Sequence, residues 1–328
     1  MKRRIILILL IAIFIVGCSS EKEKEAGNES TPNDDEETVK ELPEESLQKG
    51  DENEQVLALQ NVLIEIGYPV EPSGKYDSLT TWAITDIQLQ NDHLSVSGTY
   101  NEDVKKVIEQ ILNNNESIEV ASILEEPSHP DEFVEIVENP YDILVLVNKN
   151  YALPNDFEPQ DLVVPDVRFP FEEDDPKKQL RKEAATALEN LFEKADQEGI
   201  ELFAQSGFRS YDRQEAIFAA NVERHGEEHA NTYSARAGES EHQTGLVMDV
   251  TSQSAQFDLT TDFGKTPEGQ WVKEHAHEYG FIIRYPEGKE NITKYQYEPW
   301  HLRYVGEKAA AEIAAADITL EEYLGADY

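Results

Sequence analysis

The chain has one cysteine and few basic residues, and both shortages narrow what it can be. Cys18 is the one cysteine among 328 residues, which excludes an internal disulfide framework and a metal site built from thiolates. The 28 lysines and arginines face 67 aspartates and glutamates, for a formal net charge of −39. Nucleic-acid binding needs clusters of Lys and Arg against the phosphates, so this charge argues against a nucleic-acid partner.

The apolar run near the N-terminus is too short to cross a bilayer. Residues 5–16 make a run of about 12, whereas a spanning helix needs roughly 20. The run follows Met1-Lys-Arg-Arg and leads to Gly17 and Cys18, the order of a secretory signal. Residues 15–18, Ile-Val-Gly-Cys, resemble a bacterial lipobox, which implies that Cys18 becomes the lipidated first residue of a mature protein outside the cytoplasm. An uncleaved anchor and an ordinary signal with a chance cysteine are the alternatives.

Two acidic segments divide the rest of the chain. Residues 19–46 are almost free of large apolar side chains and cannot bury enough surface to offset chain entropy, so they are predicted to be a disordered tether. Residues 114–139 are again acidic, contain Pro127 and Pro130, and are predicted to be a linker. The expected domains are therefore residues 47–113 and residues 140–328, preceded by a signal over residues 1–18.

Residues 47–113 have the apolar spacing of three helices, with Gly74 and Gly98 in the turns. The apolar positions are Val56, Leu59, Leu63 and Ile66, then Thr80, Ala83 and Ile87, then Val104, Val107, Ile108, Ile111 and Leu112. The order L-Q-x-x-L-x-x-x-G-Y, S-G-K-Y and T-x-x-A-x-x-x-x-Q resembles the peptidoglycan-binding domain found beside many wall hydrolases. The usual Asp before each glycine is absent, and Ile87 stands at the usual Phe position. A bare spacer bundle is the alternative.

The second domain mixes helices with short strands and is predicted to be α+β. A helix is expected over 178–197, followed by Gly199, and residues 200–204 alternate as a strand does. Another helix is expected over 267–279, capped by Gly280, and it leads into a strand at Phe281–Tyr285. The expected architecture is a small antiparallel sheet flanked by helices.

The most informative residues form a split set of metal-ligand candidates. They lie in S-E-H-Q-T-G-L-V-M-D, residues 240–249, and Y-E-P-W-H, residues 297–301. His242, Asp249 and His301 can supply nitrogen, oxygen and nitrogen to one zinc ion, and three protein ligands leave the open position of a catalytic site. Glu298 is then free to take a proton from a water that the metal acidifies. The spacing therefore predicts hydrolysis.

These ligands can converge only if the backbone changes direction between them. Residues 244–251 are β-rich, so His242 is expected just before a strand and Asp249 within it. The two can meet if the chain bends at Gly245 or the strand edge curls past the metal. Pro299, between Glu298 and His301, is predicted to fix a turn that aims both side chains.

The pattern S-x-H-x-x-G-x-x-x-D followed by E-x-x-H resembles the zinc D-alanyl-D-alanine carboxypeptidases of the VanY type, within the LAS metallopeptidases. The resemblance covers residues 140–310, through V-N-K-x-Y-x-L-P, S-G-F-R-S, G-F-I-I-R-Y-P and E-P-W-H-L-R-Y-V-G. It implies that the three candidate ligands bind zinc, that Glu298 is the catalytic base and that Arg209 stabilises the oxyanion. The substrate-binding residues expected with it are Gln214, Ser240, Ser210 and Trp300, the last either a wall of the site or core. Val247 stands at a usual Ala position and is expected to narrow the pocket.

Three other constellations compete with this site. His225-Gly-Glu-Glu-His229 matches the H-x-x-E-H signature of inverted zincins, but Gly226 disfavours the helix that this motif needs. Ser240 with His242 and Asp249 imitates a serine-hydrolase triad, although the chain has no G-x-S-x-G elbow. His275 and His277 are two residues apart on a helix and face different sides, so they make a poor metal pair.

The resemblance implies a lipid-anchored, extracytoplasmic D,D-carboxypeptidase that removes the terminal D-Ala from peptidoglycan stem peptides. Its partners would be the wall and, through the anchor, the membrane; no protein partner is implied. An L,D-carboxypeptidase acting on tetrapeptides is the first alternative, because the zinc machinery is shared. A non-catalytic wall-binding lipoprotein is the second, and the presence of Glu298 argues against it.

Overall fold

The computed structural model describes residues 42–91, 93–114, 118, 120 and 134–326. The predicted signal with Cys18, and all of the predicted tether before residue 42, lie outside these residues. Leu42 is buried in the core of the helical domain that follows. Within the described ranges, no helix is long and apolar enough to span a membrane.

Three helices form the N-terminal domain, as the apolar spacing predicts. They are α1 (Glu54–Glu65), α2 (Ser78–Leu89) and α3 (Glu102–Asn114). The Asn53 side chain caps α1 by accepting from the backbone N–H groups of Gln55 and Val56. The turns at Gly74 and Gly98 are held in the same way: Gln60 Oε1 accepts from the Gly74 N–H at 2.8 Å, and Gln88 Oε1 accepts from the Gly98 N–H at 2.8 Å.

The C-terminal domain is built on a four-stranded antiparallel sheet, which confirms the α+β prediction. Its strands are β5 (Phe203–Ser206), β6 (Val247–Thr251), β7 (Phe281–Tyr285) and β8 (Glu298–Tyr304), in the spatial order β5-β6-β8-β7. Two smaller sheets pair β1 (Glu135–Ile136) with β2 (Tyr151–Ala152) and β3 (Leu162–Val163) with β4 (Leu180–Arg181). The strand predicted at Phe281–Tyr285 is present with those bounds.

Helices pack against this sheet, with α7 contacting β8 and α9 contacting β7. The helices are α4 (Lys182–Gln197), α5 (Tyr211–His225), α6 (Glu227–Tyr233), α7 (Pro267–His275), α8 (Glu290–Thr293), α9 (Glu307–Ala316) and α10 (Leu320–Leu324). The helix expected from residue 178 begins four residues later, because β4 first pairs with β3. The helix expected over 267–279 is α7 followed by a 3-10 turn, Ala276–Tyr279, which ends at Gly280 with a φ of 79°.

The two domains contact each other within one compact unit. Lys49 Nζ lies 2.7 Å from Oδ2 of the buried Asp142, and Lys308 pairs with Asp51. The Ile143 N–H donates to the Ser97 carbonyl at 3.3 Å. The end of the segment predicted as a linker joins the C-terminal domain, because β1 pairs with β2; residues 115–117, 119 and 121–133 of that segment lie outside the described residues.

Candidate active site

The three candidate ligands meet at the sheet. Asp249 on β6 stands directly opposite His301 on β8 in the strand register, and Asp249 Oδ1 lies 3.1 Å from His301 Nδ1. His242 Nε2 lies 3.5 Å from Asp249 Oδ2. All three residues are buried, and one ligand atom from each lies within 4.8 Å of the others. No other group of three or more such side chains in the described residues meets this condition.

His242 reaches the site because the chain bends at Gly245, the first of the two routes that the sequence allows. His242 lies in a 3-10 turn, Glu241–Thr244, which ends at Gly245 with a φ of 68°. A Cβ at Gly245 would come within 2.9 Å of side-chain carbons of Arg181 and Leu162. The left-handed backbone and the close packing both favour glycine, and they turn the chain from the His242 segment into β6.

The orientation of His242 is set by a backbone carbonyl. Its Nδ1 lies 2.8 Å from the Gly207 carbonyl oxygen, so a proton on Nδ1 leaves the lone pair of Nε2 facing Asp249. Gly207 can approach this closely because it has no side chain: a Cβ there would overlap the Gln179 carbonyl oxygen and lie 2.9 Å from Met248 Cε. This explains the glycine in the S-G-F-R-S motif.

The turn predicted at Pro299 is wrong, because the whole segment belongs to β8. Tyr285 pairs with Glu298 while Ile283 pairs with Leu302, so residues 299–301 of β8 stand opposite one residue of β7. Such an irregularity accommodates a proline, which cannot donate a ladder hydrogen bond. It also breaks the alternation of side chains. Glu298 and His301, three residues apart, therefore face the same cavity, with Glu298 Oε2 3.7 Å from His301 Nδ1.

The donor set fits a divalent metal such as zinc. One oxygen between two imidazole nitrogens is an arrangement that catalytic zinc sites use. Asp249 Oδ1 is buried without a hydrogen-bond partner, although His301 Nδ1 lies only 3.1 Å from it. This oxygen and this nitrogen, held close without a hydrogen bond between them, are suited to bind one cation.

Burial and charge set the protonation of this cluster. Burial raises the pKa of Glu298 to about 7 and lowers the pKa of His242 to about 3. Burial alone would lower the pKa of His301, but the adjacent carboxylates of Asp249 and Glu241 outweigh it and raise this pKa to about 9. The neutral His242 is thus ready to act as a ligand, while the carboxylates around His301 favour positive charge.

Arg209 lies beside the ligands with its guanidinium held in place. Its Nη1 donates to Gln214 Oε1 at 2.8 Å, its Nη2 donates to Ser206 Oγ at 3.3 Å, and its backbone N–H donates to the His242 carbonyl at 3.1 Å. The Gln214 amide also donates to the Ala235 carbonyl at 2.6 Å. Both ends of Gln214 therefore have protein partners, and the residue orients Arg209.

A cavity of about 540 Å³ opens over these residues. It is lined by the three ligands and by Glu298, Arg209, Gln214, Ser240 and Trp300. Trp300 serves both as a wall of the cavity and as part of the core. Ser210 is not brought to the cavity: its hydroxyl caps α5 by accepting from the Arg213 N–H. Val247 is fully buried and is not among the lining residues, so the expected narrowing is not seen.

Three tyrosines of the cavity wall were missed by the sequence analysis. Tyr285 packs against His301 with ring centroids 4.8 Å apart, and Tyr295 packs against Tyr285 at 4.7 Å. Tyr233 and Tyr295 have buried hydroxyls without a hydrogen-bond partner, and both line the cavity. Tyr285 falls in the G-F-I-I-R-Y-P motif, which could have identified it; Tyr233 is the last residue of α6 and lies outside the motifs.

The competing constellations do not form sites. Gly226, with a φ of 81°, separates α5 from α6, and His225 and His229 on either side are exposed. His275 instead lies 3.1 Å from Glu278. In the triad alternative, both nitrogens of His242 face other groups, the Gly207 carbonyl and Asp249, so neither is left to activate Ser240.

Comparison with known proteins agrees with this geometry. Residues 177–307 match the family model VanY, D-alanyl-D-alanine carboxypeptidase, and residues 52–108 match the model "Putative peptidoglycan binding domain". The chain is 51% identical to "Putative carboxypeptidase YodJ" of Bacillus subtilis (strain 168) over 71% of this chain and 77% of that protein. It is 38% identical to a D-alanyl-D-alanine carboxypeptidase of Enterococcus faecium over 44% of each chain.

Among solved structures, the LdcB LD-carboxypeptidase aligns with a TM-score of 0.59 and 56% identity. The alignment covers 61% of this chain and 94% of LdcB. The structural match and the two family models together assign both domains. The chain is therefore a carboxypeptidase of the VanY family that acts on peptidoglycan, with its peptidoglycan-binding domain N-terminal to the catalytic domain.

Proposed function

We propose that this carboxypeptidase is a zinc enzyme that removes the C-terminal D-alanine from peptidoglycan stem peptides. The observation that carries the proposal is the buried cluster of His242, Asp249 and His301 with Glu298 on the same cavity wall. These three ligands would hold the metal. When bound, zinc supplies a Lewis acid that polarises the scissile carbonyl and acidifies water.

Glu298 is the proposed general base. Its carboxylate lies on the cavity wall 3.7 Å from His301 Nδ1, close to the ligands and without an arginine or lysine paired to it in the described residues. From this position it can take the proton of the attacking water and pass it to the departing amine of D-alanine. One carboxylate thus serves both half-steps of the hydrolysis.

Arg209 is the proposed oxyanion donor. Gln214 and Ser206 hold its guanidinium at the cavity, so little reorganisation is needed when negative charge develops on the substrate carbonyl. Ser240 lies on the same wall and is proposed to bind the terminal carboxylate of the substrate, with Trp300 as an apolar wall. Gln214 contributes through the orientation of Arg209.

The L,D bond of a tetrapeptide is the better-supported substrate. The LdcB LD-carboxypeptidase is 56% identical to this chain across 94% of its own length, a stronger match than the 38% identity over 44% that links the chain to the D-alanyl-D-alanine carboxypeptidase of Enterococcus faecium. The D,D bond of a pentapeptide, which the motif resemblance implies, is the second candidate. Both bonds release D-alanine, so the chemistry above is the same.

The proposed site of action is outside the cytoplasm, with the chain anchored through a lipid on Cys18. Support comes from the lipobox-like residues 15–18 and from the peptidoglycan-binding domain. Attachment to both membrane and wall would raise the local concentration of stem peptides. Replacement of Cys18 by Ala should release the protein from membranes into the medium, and retention in the membrane fraction would contradict the anchor.

Muropeptides ending in tetrapeptide and pentapeptide test the activity and its specificity together. The protein without residues 1–18 is incubated with each, with and without a chelator, and released D-alanine is followed by mass spectrometry. Chelator-sensitive release from the tetrapeptide establishes the L,D activity, and release from the pentapeptide alone establishes the D,D activity. Bound zinc without release from either substrate would favour a non-catalytic wall-binding protein.

A further inference from the structure

Four ionised side chains are fully buried behind the ligand residues. Glu241, Arg284, Arg303 and Glu321 are each 1% exposed or less. They come from four separate places: the turn that carries His242, strands β7 and β8, and helix α10. Removing charges from water is costly, and a buried ion pair is often no more stabilising than apolar residues would be. The cluster therefore calls for a reason beyond stability.

The two carboxylates of the cluster, Glu321 and Glu241, differ in how many of their oxygens accept hydrogen bonds. Arg284 binds Glu321 through two parallel bonds, Nη1 to Oε2 at 2.9 Å and Nη2 to Oε1 at 2.6 Å. Arg284 Nε and Arg303 Nη1 both donate to the same oxygen of Glu241, Oε1, at 2.8 and 2.7 Å. The second oxygen of Glu241, Oε2, is buried and accepts no hydrogen bond.

This unpaired oxygen faces the outer nitrogen of a ligand. Glu241 Oε2 lies 3.7 Å from His301 Nε2, and His301 Nε2 is itself buried without a hydrogen-bond partner. The other nitrogen, Nδ1, faces Asp249 and Glu298 on the cavity side. Two buried polar atoms without partners thus point at each other, with the imidazole of His301 between the buried cluster and the proposed metal position.

We propose that Glu241 is a positioning residue for the metal centre. It accepts the N–H of His301 Nε2, which keeps the lone pair of Nδ1 directed at the metal, and Arg284 and Arg303 hold Glu241 in place. The inference rests on the proposed zinc site. The observed 3.7 Å is longer than a hydrogen bond, so we expect the contact to tighten when His301 takes up the cation.

Each histidine ligand would then be oriented by an outer hydrogen bond from one ring nitrogen, with the other nitrogen free for the metal. The two histidines use opposite nitrogens for these roles. His242 places Nδ1 on the Gly207 carbonyl and presents Nε2, whereas His301 places Nε2 on Glu241 and presents Nδ1. Outer partners of this kind fix the tautomer and ring orientation of a ligand, and their loss costs roughly 10–100-fold in metal affinity. A purely structural ion cluster would have no need to leave Glu241 Oε2 unpaired.

Glu321→Gln is a matched control for Glu241→Gln. Both substitutions remove a buried carboxylate that binds Arg284, but Glu241 alone faces His301. The zinc Kd of each variant is measured by competition with a chromophoric chelator, alongside the visible spectrum of the cobalt-loaded protein and thermal unfolding of the metal-free form. We expect Glu241→Gln to weaken zinc binding by about 10–100-fold and alter the cobalt bands. Glu321→Gln should lower the unfolding temperature with its Kd within about threefold of wild type.

Histidine tautomers in the zinc-loaded wild type supply a test that survives misfolding of either variant. In ¹⁵N NMR spectra we expect His301 to carry its proton on Nε2 and His242 to carry its proton on Nδ1. A proton on Nδ1 of His301, or equal loss of zinc affinity in both variants, would overturn the role of Glu241. Wild-type protein that binds no zinc would overturn the proposed zinc site as well, so the two failures are distinguishable.

Discussion

Asp249 and His301 are cross-strand neighbours, directly opposed on β6 and β8, with Asp249 Oδ1 3.1 Å from His301 Nδ1. The register between these strands is regular from the Val247–Arg303 pair to the Asp249–His301 pair. Backbone pairing therefore places an oxygen and a nitrogen ligand side by side. A slip of one residue would turn one of the two side chains to the other face of the sheet and abolish the site.

Because backbone pairing forms this ligand pair, we expect the metal-free protein to keep its fold. Removal of zinc by a chelator should abolish D-alanine release while the far-ultraviolet circular dichroism stays the same. Zinc at a hundred times its Kd should raise the free energy of unfolding by about 2.7 kcal/mol, since it binds the folded state. Collapse of the circular dichroism on chelation would show that the metal is needed for folding.

Glu298→Gln should separate metal binding from turnover. The substitution removes the proton acceptor and leaves the three ligands intact, so zinc content should stay at the wild-type level. We expect kcat to fall by about 10²–10⁴. Zinc analysis of the same preparation is the control, and a variant with full activity would rule out Glu298 as the base.

Arg209→Ala should reduce kcat more than it raises KM. The guanidinium is pre-aimed at the cavity, and the loss of one such donor costs on the order of 10²–10³ in kcat. Arg209→Lys keeps the charge but cannot reproduce the two contacts to Gln214 and Ser206, so we expect incomplete recovery. Steady-state kinetics on both variants measure kcat and KM separately, and an unchanged kcat in Arg209→Ala would indicate a structural role.

Gly207→Ala should damage both stability and metal binding. An added Cβ would overlap the Gln179 carbonyl oxygen, and overpacking of this kind costs about 1–3 kcal/mol in the free energy of unfolding. The shift would also move the carbonyl that holds His242 Nδ1. Gly199→Ala is the control for zinc affinity: alanine at a φ of 76° is strained and also lowers stability, but no atom lies within 4 Å of the added Cβ. Denaturant unfolding measures the stability of both variants, and zinc titration measures their zinc affinity. Equal zinc affinity in the two variants would contradict the predicted effect of Gly207→Ala on metal binding.

Local signals in the sequence predicted much of this fold. The apolar spacing of residues 47–113 predicted three helices, and the apolar residues after the Gly280 cap predicted the strand at Phe281–Tyr285. The ligand spacing in the sequence alone identifies His242, Asp249 and His301 as one candidate metal site. These features depend on residues close in the chain or on a motif with a chemical reason for each member.

Features that need several distant segments were not predictable. The irregularity of β8 opposite Arg284 is defined by pairing with β7, and Pro299 read alone indicates a turn. The cluster around Glu241 draws residues from four segments, and none of them stands out by itself. The family resemblance predicts Ser210 as a substrate-binding residue, but its hydroxyl caps α5 instead.

The contact between the helical domain and the catalytic domain limits how the helical domain can be deleted or exchanged. Asp142 is buried and bound by Lys49, so deletion of the helical domain leaves a carboxylate without its cation. The residues that follow Asp142 support the catalytic site: the carbonyls of Ile143 and Val145 accept from Arg303, and Arg303 binds Glu241. A transplanted wall-binding domain would have to supply a cation for Asp142, or the exchange would disturb the shell that surrounds the metal ligands.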